Sequence, residues 1–201
     1  MRRRPRWLVP MIALALLTAP AVARSAAPVA AGGRVVTGSI AFSSAGGSYY
    51  ANDAGDRTQE WMLQPGGGVF VADGLACNLL ASGTWFRQGD VVANHYEIGP
   101  TAEYYFDTVG DDAAQGHALP YVGAGYLWGK VRSELPGSTS AYNSGVVLLK
   151  AGVVWMVSEQ AAADIAVQHR FGTYNEKRPQ DGPKFRGNRW TVHWGMKVFL
   201  P

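Results

Sequence analysis

The residues that could carry chemistry in this 201-residue chain are few, and their spacing decides most of the cases against it. Glu97 and Glu103 offer paired carboxylates for acid/base work. Six residues along an extended strand separate them by about 20 Å, far beyond the reach of a hydrolytic pair. His169, in Gln168-His169-Arg170-Phe171-Gly172, could serve as a base, but a serine nucleophile needs its base within hydrogen-bond reach and this segment supplies no serine. Asp107, Asp111 and Asp112 around Gly110 suggest calcium, yet they lack the ordered ligands and terminal bidentate Glu of a calcium loop. Gly66-Gly67-Gly68 has no Lys or Ser/Thr to cradle a phosphate and is expected to mark a bend or bulge. Cys77 is the only cysteine, so no intramolecular disulfide and no Cys/His zinc spacing exist. The sequence therefore gives no catalytic, cofactor-binding or metal site.

The segments that hold these residues say more. Arg2, Arg3, Arg4 and Arg6 precede an apolar run from Trp7 to Leu17, and Ala21-Val22-Ala23 offers a small-x-small cleavage site. This is the layout of a secretory signal peptide over 1–23. Its apolar run is too short to span a bilayer, and no later run approaches the required twenty residues, so a helical membrane protein is excluded. Four of the 18 basic residues lie in that leader and none of the 15 acidic ones, which leaves 14 against 15. The basic excess belongs to the export signal and gives no support for nucleic-acid binding.

Beyond the leader, helical periodicity is nearly absent. Apolar residues alternate with polar ones in eight segments separated by Gly/Asp/Ser/Asn/Pro-rich breaks, which predicts strands and turns. In Arg189 to Leu200 the even positions are Trp190, Val192, Trp194, Met196, Val198 and Leu200, while the odd ones include Arg189, His193, Gly195 and Lys197. Ala93 to Phe106 opposes Tyr96, Ile98, Tyr104 and Phe106 to Glu97 and Glu103. The other expected strands are Val35–Ser43, Gln59–Val71, Leu75–Phe86, Pro120–Trp128, Gly145–Val157 and Ala163–Phe171.

The two faces differ in kind. One is an apolar band whose ends are tryptophan or tyrosine, suited to lipid and its interfaces. The other mixes glycine with Glu97, Glu103, Lys150, Asp164, Arg170, Arg189 and Lys197, suited to a narrow interior where opposite charges must pair. The expected connections after odd strands are 44–58, 87–90, 129–142 and 173–187, and three of these four are long and polar. Those after even strands, 72–74, 107–117 and 158–161, are mostly short, as in outer-membrane barrels. The reading is an all-β, eight-stranded, antiparallel up-and-down transmembrane barrel over 35–201, preceded by a periplasmic segment over 24–34.

With these residues in hand, the chain resembles the small outer-membrane β-barrel proteins of the OmpA/OmpX-like superfamily. The resemblance rests on Gly99-Pro100-Thr101-Ala102-Glu103-Tyr104-Tyr105-Phe106, Leu119 to Tyr126, Gly152 to Val157 and the last strand. It implies outer-membrane lipids as surroundings and the barrel-assembly machinery as a partner during biogenesis, with the signal carried by His193, Gly195, Val198 and Leu200. The family ends in Phe, whereas this chain ends in Leu200-Pro201. The implied role is structural, adhesive or surface-interacting through outer loops whose partner the sequence does not name, around an interior too narrow to conduct. Two alternatives remain open. One is a membrane-embedded lipid A deacylase of the PagL type, which places a serine two residues after its histidine where Phe171 stands here. The other is a soluble periplasmic lipocalin-like binder, with the apolar faces turned inward. If the leader is read correctly, N-terminal sequencing of the protein from outer membranes begins near Arg24; recovery of the intact chain in the cytoplasm contradicts it.

Overall fold

The computed structural model describes residues 29–45, 58–106, 117–135, 138–176 and 184–201. The proposed leader and the aspartates at 107, 111 and 112 lie outside the described residues. The strands are β1 (Arg34–Ala45), β2 (Thr58–Ala72), β3 (Leu75–Gln88), β4 (Val91–Tyr105), β5 (Ala118–Leu135), β6 (Ser138–Met156), β7 (Ala161–Glu176) and β8 (Lys184–Leu200). Each pairs antiparallel with the next, and β1 pairs with β8 from Arg34↔Leu200 to Ile40↔Trp194, so the sheet closes into a barrel. The expected eight-stranded up-and-down barrel is the fold observed.

Closure carries an offset. Following paired residues once round from Arg34 through Val69, Cys77, Ala102, Ala124, Leu149 and His169 leads to Trp190, whereas Arg34 itself pairs with Leu200. The ladder thus returns ten residues displaced (200 − 190), which tilts every strand against the barrel axis. Three connections and both described chain ends gather at one end, termed the terminal end. Strand alternation then sorts every residue. Tyr96, Ile98 and Tyr104 of β4, Val147, Leu149, Val153 and Trp155 of β6, and Trp190, Val192, Trp194 and Met196 of β8 all point outward and are exposed. Their inward neighbours are buried or half-buried.

The outward face is an apolar belt right round the molecule, far larger than the few hundred Å² that water-soluble monomers tolerate. Aromatic rings border it. At the far end Phe42 touches Trp61 (4.3 Å between centroids), Trp85 meets Tyr96 (6.0 Å) and Tyr126 meets Trp128 (4.9 Å). At the terminal end Tyr104 and Phe106 are in edge contact (5.4 Å). The N-terminal stretch before β1 is tied to this end: Gly74 donates its N–H to the Val29 carbonyl, Gly32 donates to the Phe70 carbonyl, and Ala31 donates to Asp73 Oδ1, each at 2.8 Å. The Val29 side chain is buried there among Phe70, Tyr105 and Phe199.

Several expected connections are corrected. Residues 129–142 are not a loop: β5 and β6 continue through them, paired from Ala118↔Trp155 up to Leu135↔Ser138, with only 136–137 between. Lys130, Val131, Arg132, Ser133 and Glu134 present no apolar face, so alternation gives no strand signal where the wall rises past the belt. The β3–β4 connection is likewise only Gly89-Asp90, with Gly89 at φ 55°, the left-handed conformation that favours glycine at this place in a two-residue hairpin. Residues 173–176 and 184–187 belong to β7 and β8. Gly66–Gly68 are not a bulge, because the β2–β3 ladder keeps one register across them; its shift falls between Phe70 and Ala72.

Leu149 lies midway along β6 between outward-facing Trp155 and the polar Asn143, and is 47% exposed. We expect Leu149→Arg to cost roughly 2–4 kcal/mol in reversible urea unfolding from lipid vesicles, as for a cation at a bilayer midplane. Asn143→Arg, above the belt, should cost little. Equal costs would place Leu149 outside hydrocarbon.

Candidate interior charge site

All eight strands turn alternate side chains into one narrow lumen, and these occur in layers. At the terminal end Val35, Phe70, Tyr105, Leu119, Val154, Met156 and Phe199 form an apolar cluster. Nearer the far end Leu80, Leu127, Val146 and Leu148 form a second. Between and above them lie the charges.

The first group assembles Glu103 from β4, Lys150 from β6, Asp164 from β7 and Lys197 from β8 with two tyrosines. Lys197 Nζ donates to Glu103 Oε2 and to Tyr105 Oη, both at 2.7 Å. Tyr105 Oη donates in turn to Glu103 Oε2 (2.9 Å). Lys150 Nζ donates to Glu103 Oε1 at 3.1 Å and lies 3.6 Å from Asp164 Oδ2. Tyr121 Oη donates to Asp164 Oδ1 at 2.8 Å. The Lys197 ammonium also stands over the Tyr121 ring, 3.7 Å from its centroid. Two cations face two carboxylates, so the group is neutral as a whole. Lys197 is fully buried, and an unpaired ammonium there would be prohibitive.

The second group sits further from the termini. Arg170 Nη2 donates to Glu97 Oε2 across the lumen from β7 to β4, and Arg170 Nη1 donates to Ser82 Oγ (3.2 Å). His95 Nε2 lies 2.8 Å from Glu97 Oε1 and 2.9 Å from Ser144 Oγ. Between the groups Gln168 donates to Gln64 Oε1 at 2.7 Å, and His193 lies between Ser39 and Thr191. At the far end Arg189, a third exposed, donates to Glu60.

The residues singled out from sequence thus fall as follows. Glu97, Glu103, Lys150, Asp164, Arg170 and Lys197 are buried inside in two separate groups, while Arg189 pairs with a residue the sequence reading missed, Glu60. Glu97 and Glu103 belong to different groups. Parity sets Tyr105, Tyr121 and Gln168 on the polar face beside the charges, though they were not counted in the network, and Gln64 was missed as well. His193 is buried inside, Gly195 lies at the closing seam, and Val198 and Leu200 turn outward at half exposure. A Cβ on Gly195 would come within 2.4 Å of the Gly38 carbonyl oxygen, so this glycine is what lets β8 reach β1. His169 points outward, stacked on Trp190 and packed against Phe171, each at 4.1 Å between centroids. Cys77 is exposed on the outer wall. Among the described residues no three His, Cys, Asp or Glu side chains converge to hold a metal.

This is the fold of the small outer-membrane β-barrels. Neisserial surface protein A is similar at TM-score 0.57 and 17% identity, over 84% of this chain and 97% of that one. The N-terminal β-barrel domain of OprF from Pseudomonas aeruginosa follows at 0.52 and 14%, over 83% and 97%. The outer membrane protein OprG of the same organism stands at 0.52 and 15%, over 85% and 97%. No family model and no curated protein sequence matches the chain.

The Glu97–Arg170 pair allows a clean thermodynamic test. We expect Glu97→Gln and Arg170→Met each to destabilise by roughly 3–5 kcal/mol, because each strands a buried charge. The double variant should cost less than the sum, by about 0.5–3 kcal/mol. Strict additivity in a double-mutant cycle would mean that water, not the partner, compensates each charge.

Proposed function

We propose that this chain is an integral outer-membrane barrel with a filled, non-conducting interior, acting structurally or in surface interaction through its outer end. The observation that carries the proposal is the neutral cluster of Glu103, Lys150, Asp164 and Lys197, buried with Tyr105 and Tyr121 across the lumen. Ion pairs and rings that span the interior support a lumen without a continuous polar path for solutes. The apolar belt with its aromatic borders supports the lipid surroundings. Both described chain ends lie at one end, which is the periplasmic end in this reading, and the strands rise past the belt at the other. The polar upper parts of β5 and β6 would then be the surface offered to the outside.

We read the chain as non-enzymatic. His169 lies between two aromatic rings on the outer wall, and Phe171 occupies the place where a deacylase of the PagL type carries its serine. The test joins location to conductance. The full chain should fractionate with outer membranes and migrate faster in cold detergent than after boiling. In planar bilayers the folded protein should give no stepwise current. Discrete channels from heat-modifiable protein would overturn the filled interior, and recovery as a soluble periplasmic species would overturn the address.

A further inference from the structure

On β6 the aromatic border at the far end is interrupted. Tyr126 and Trp128 of β5 stand on one side, Phe171 of β7 and Trp190 of β8 on the other, and between them β6 carries Gly145 in line with Trp128. The result is a notch of about 340 Å³ in the outer wall, lined by Tyr126, Gly145, Val147, Phe171, Thr173 and Asn188 among others. Its size is that of a small-ligand pocket. Its lower part is hydrocarbon and ring. Its upper rim carries the hydroxyl of Thr173 and the amide of Asn188, and the Tyr126 hydroxyl lies over Gly145. Directly above the border Lys130 points outward from β5, paired in register with Asn143 of β6, two residues beyond Trp128. Lys130 makes no ion pair among the described residues, whereas its neighbour Arg132 is held by Glu134 at 3.1 Å.

We propose that this notch is a binding site for one phosphorylated lipid of the surrounding leaflet. An acyl chain lies in the notch against Val147 and Phe171, beside Gly145 and the Tyr126 ring. Hydrogen-bond donors at the rim, Thr173 and Asn188, meet the ester or amide oxygens at the top of the chain. The phosphate sits at Lys130, where charge complementarity selects an anionic over a zwitterionic headgroup. The apolar floor and polar rim suit a lipid's chain and its linkage, and Lys130, which stands outside the lining two residues beyond Trp128, supplies a cation for the phosphate. The proposal rests on the membrane reading above, and its test separates the two.

The folded full chain in detergent is titrated with phosphatidic acid or with phosphatidylcholine of the same acyl chains, and bound lipid is counted by native mass spectrometry. We expect the first phosphatidic acid to bind about fivefold more tightly than phosphatidylcholine, the preference one cation at a lipid surface provides. Lys130→Glu should remove that preference and leave chain binding. Gly145→Leu should abolish the tight adduct with both lipids. This second variant is tolerable in the fold because the added Cβ meets only the Tyr126 ring and hydroxyl, the latter at 2.3 Å, and that side chain can turn outward. Heat-modifiable migration verifies each variant's fold, and its absence in the unmodified chain would sink the membrane reading instead. Equal binding of the two lipids, a preference that survives Lys130→Glu, or a tight adduct that survives Gly145→Leu overturns the site.

Discussion

Eight strands enclose too little space for a buried charge to keep its water, and the remaining features of this molecule answer to that constraint. A closed sheet of this size turns half its side chains into a narrow lumen that those side chains can fill. Each charge placed there must therefore find its partner on another strand, because neighbours on its own strand point the same way only every second residue. Glu103 on β4 meets Lys150 on β6 and Lys197 on β8, and Glu97 on β4 meets Arg170 on β7. These pairs fix relative strand positions across the barrel. A slip of one residue in any strand would send its charges into the apolar belt and bring apolar side chains inside. The ion pairs thus act on register as much as on stability, and the two roles share one cause.

The same constraint explains the glycines and the tyrosines. Where two strands must approach closely at the seam, Gly195 leaves room for the Gly38 carbonyl. Where ammonium groups need more than carboxylates to replace water, Tyr105 and Tyr121 supply hydroxyls and ring faces together. The outer wall obeys a different rule, since lipid asks only for apolar surface and no unpaired backbone. Side chains there can be exchanged or omitted without a partner to abandon. A missing one, as at Gly145, leaves room for the neighbouring Tyr126 side chain to lean across, and no unpaired charge.

How much of this could be read beforehand follows from that difference. Alternation in β4, β6, β7 and β8 gave both faces and both sets of interior charges, because hydrocarbon outside and charge inside differ strongly at every second residue. Glu60 stayed hidden because β2 contains Pro65 and three glycines, which interrupt the alternation that would have set it on the inner face beside Met62 and Gln64. The pairing of particular charges was not legible at all, since it depends on the ten-residue offset of the closed ladder, a property of the whole sheet. The upper parts of β5 and β6 looked like a loop because Lys130 to Glu134 and 138–144 lack an apolar face. Hydrogen bonds to neighbouring strands, not burial, hold them extended.

That last point bears on where a role can reside. The interior charges neutralise one another: Lys197 has no accessible surface, and its carboxylate partners are buried with it. The belt is committed to hydrocarbon. Among the described residues, what remains uncommitted is the wall above the aromatic border, where Lys130, Arg132 and Glu134 point outward and β5 and β6 are paired through Leu135↔Ser138. A paired hairpin holds its side chains at fixed separations, unlike a flexible loop, and so can present a defined arrangement of charge at little entropic cost. Recognition by this molecule, of lipid or of another surface, is therefore best sought on that rigid rim, which the closed and self-neutralised lumen holds in place.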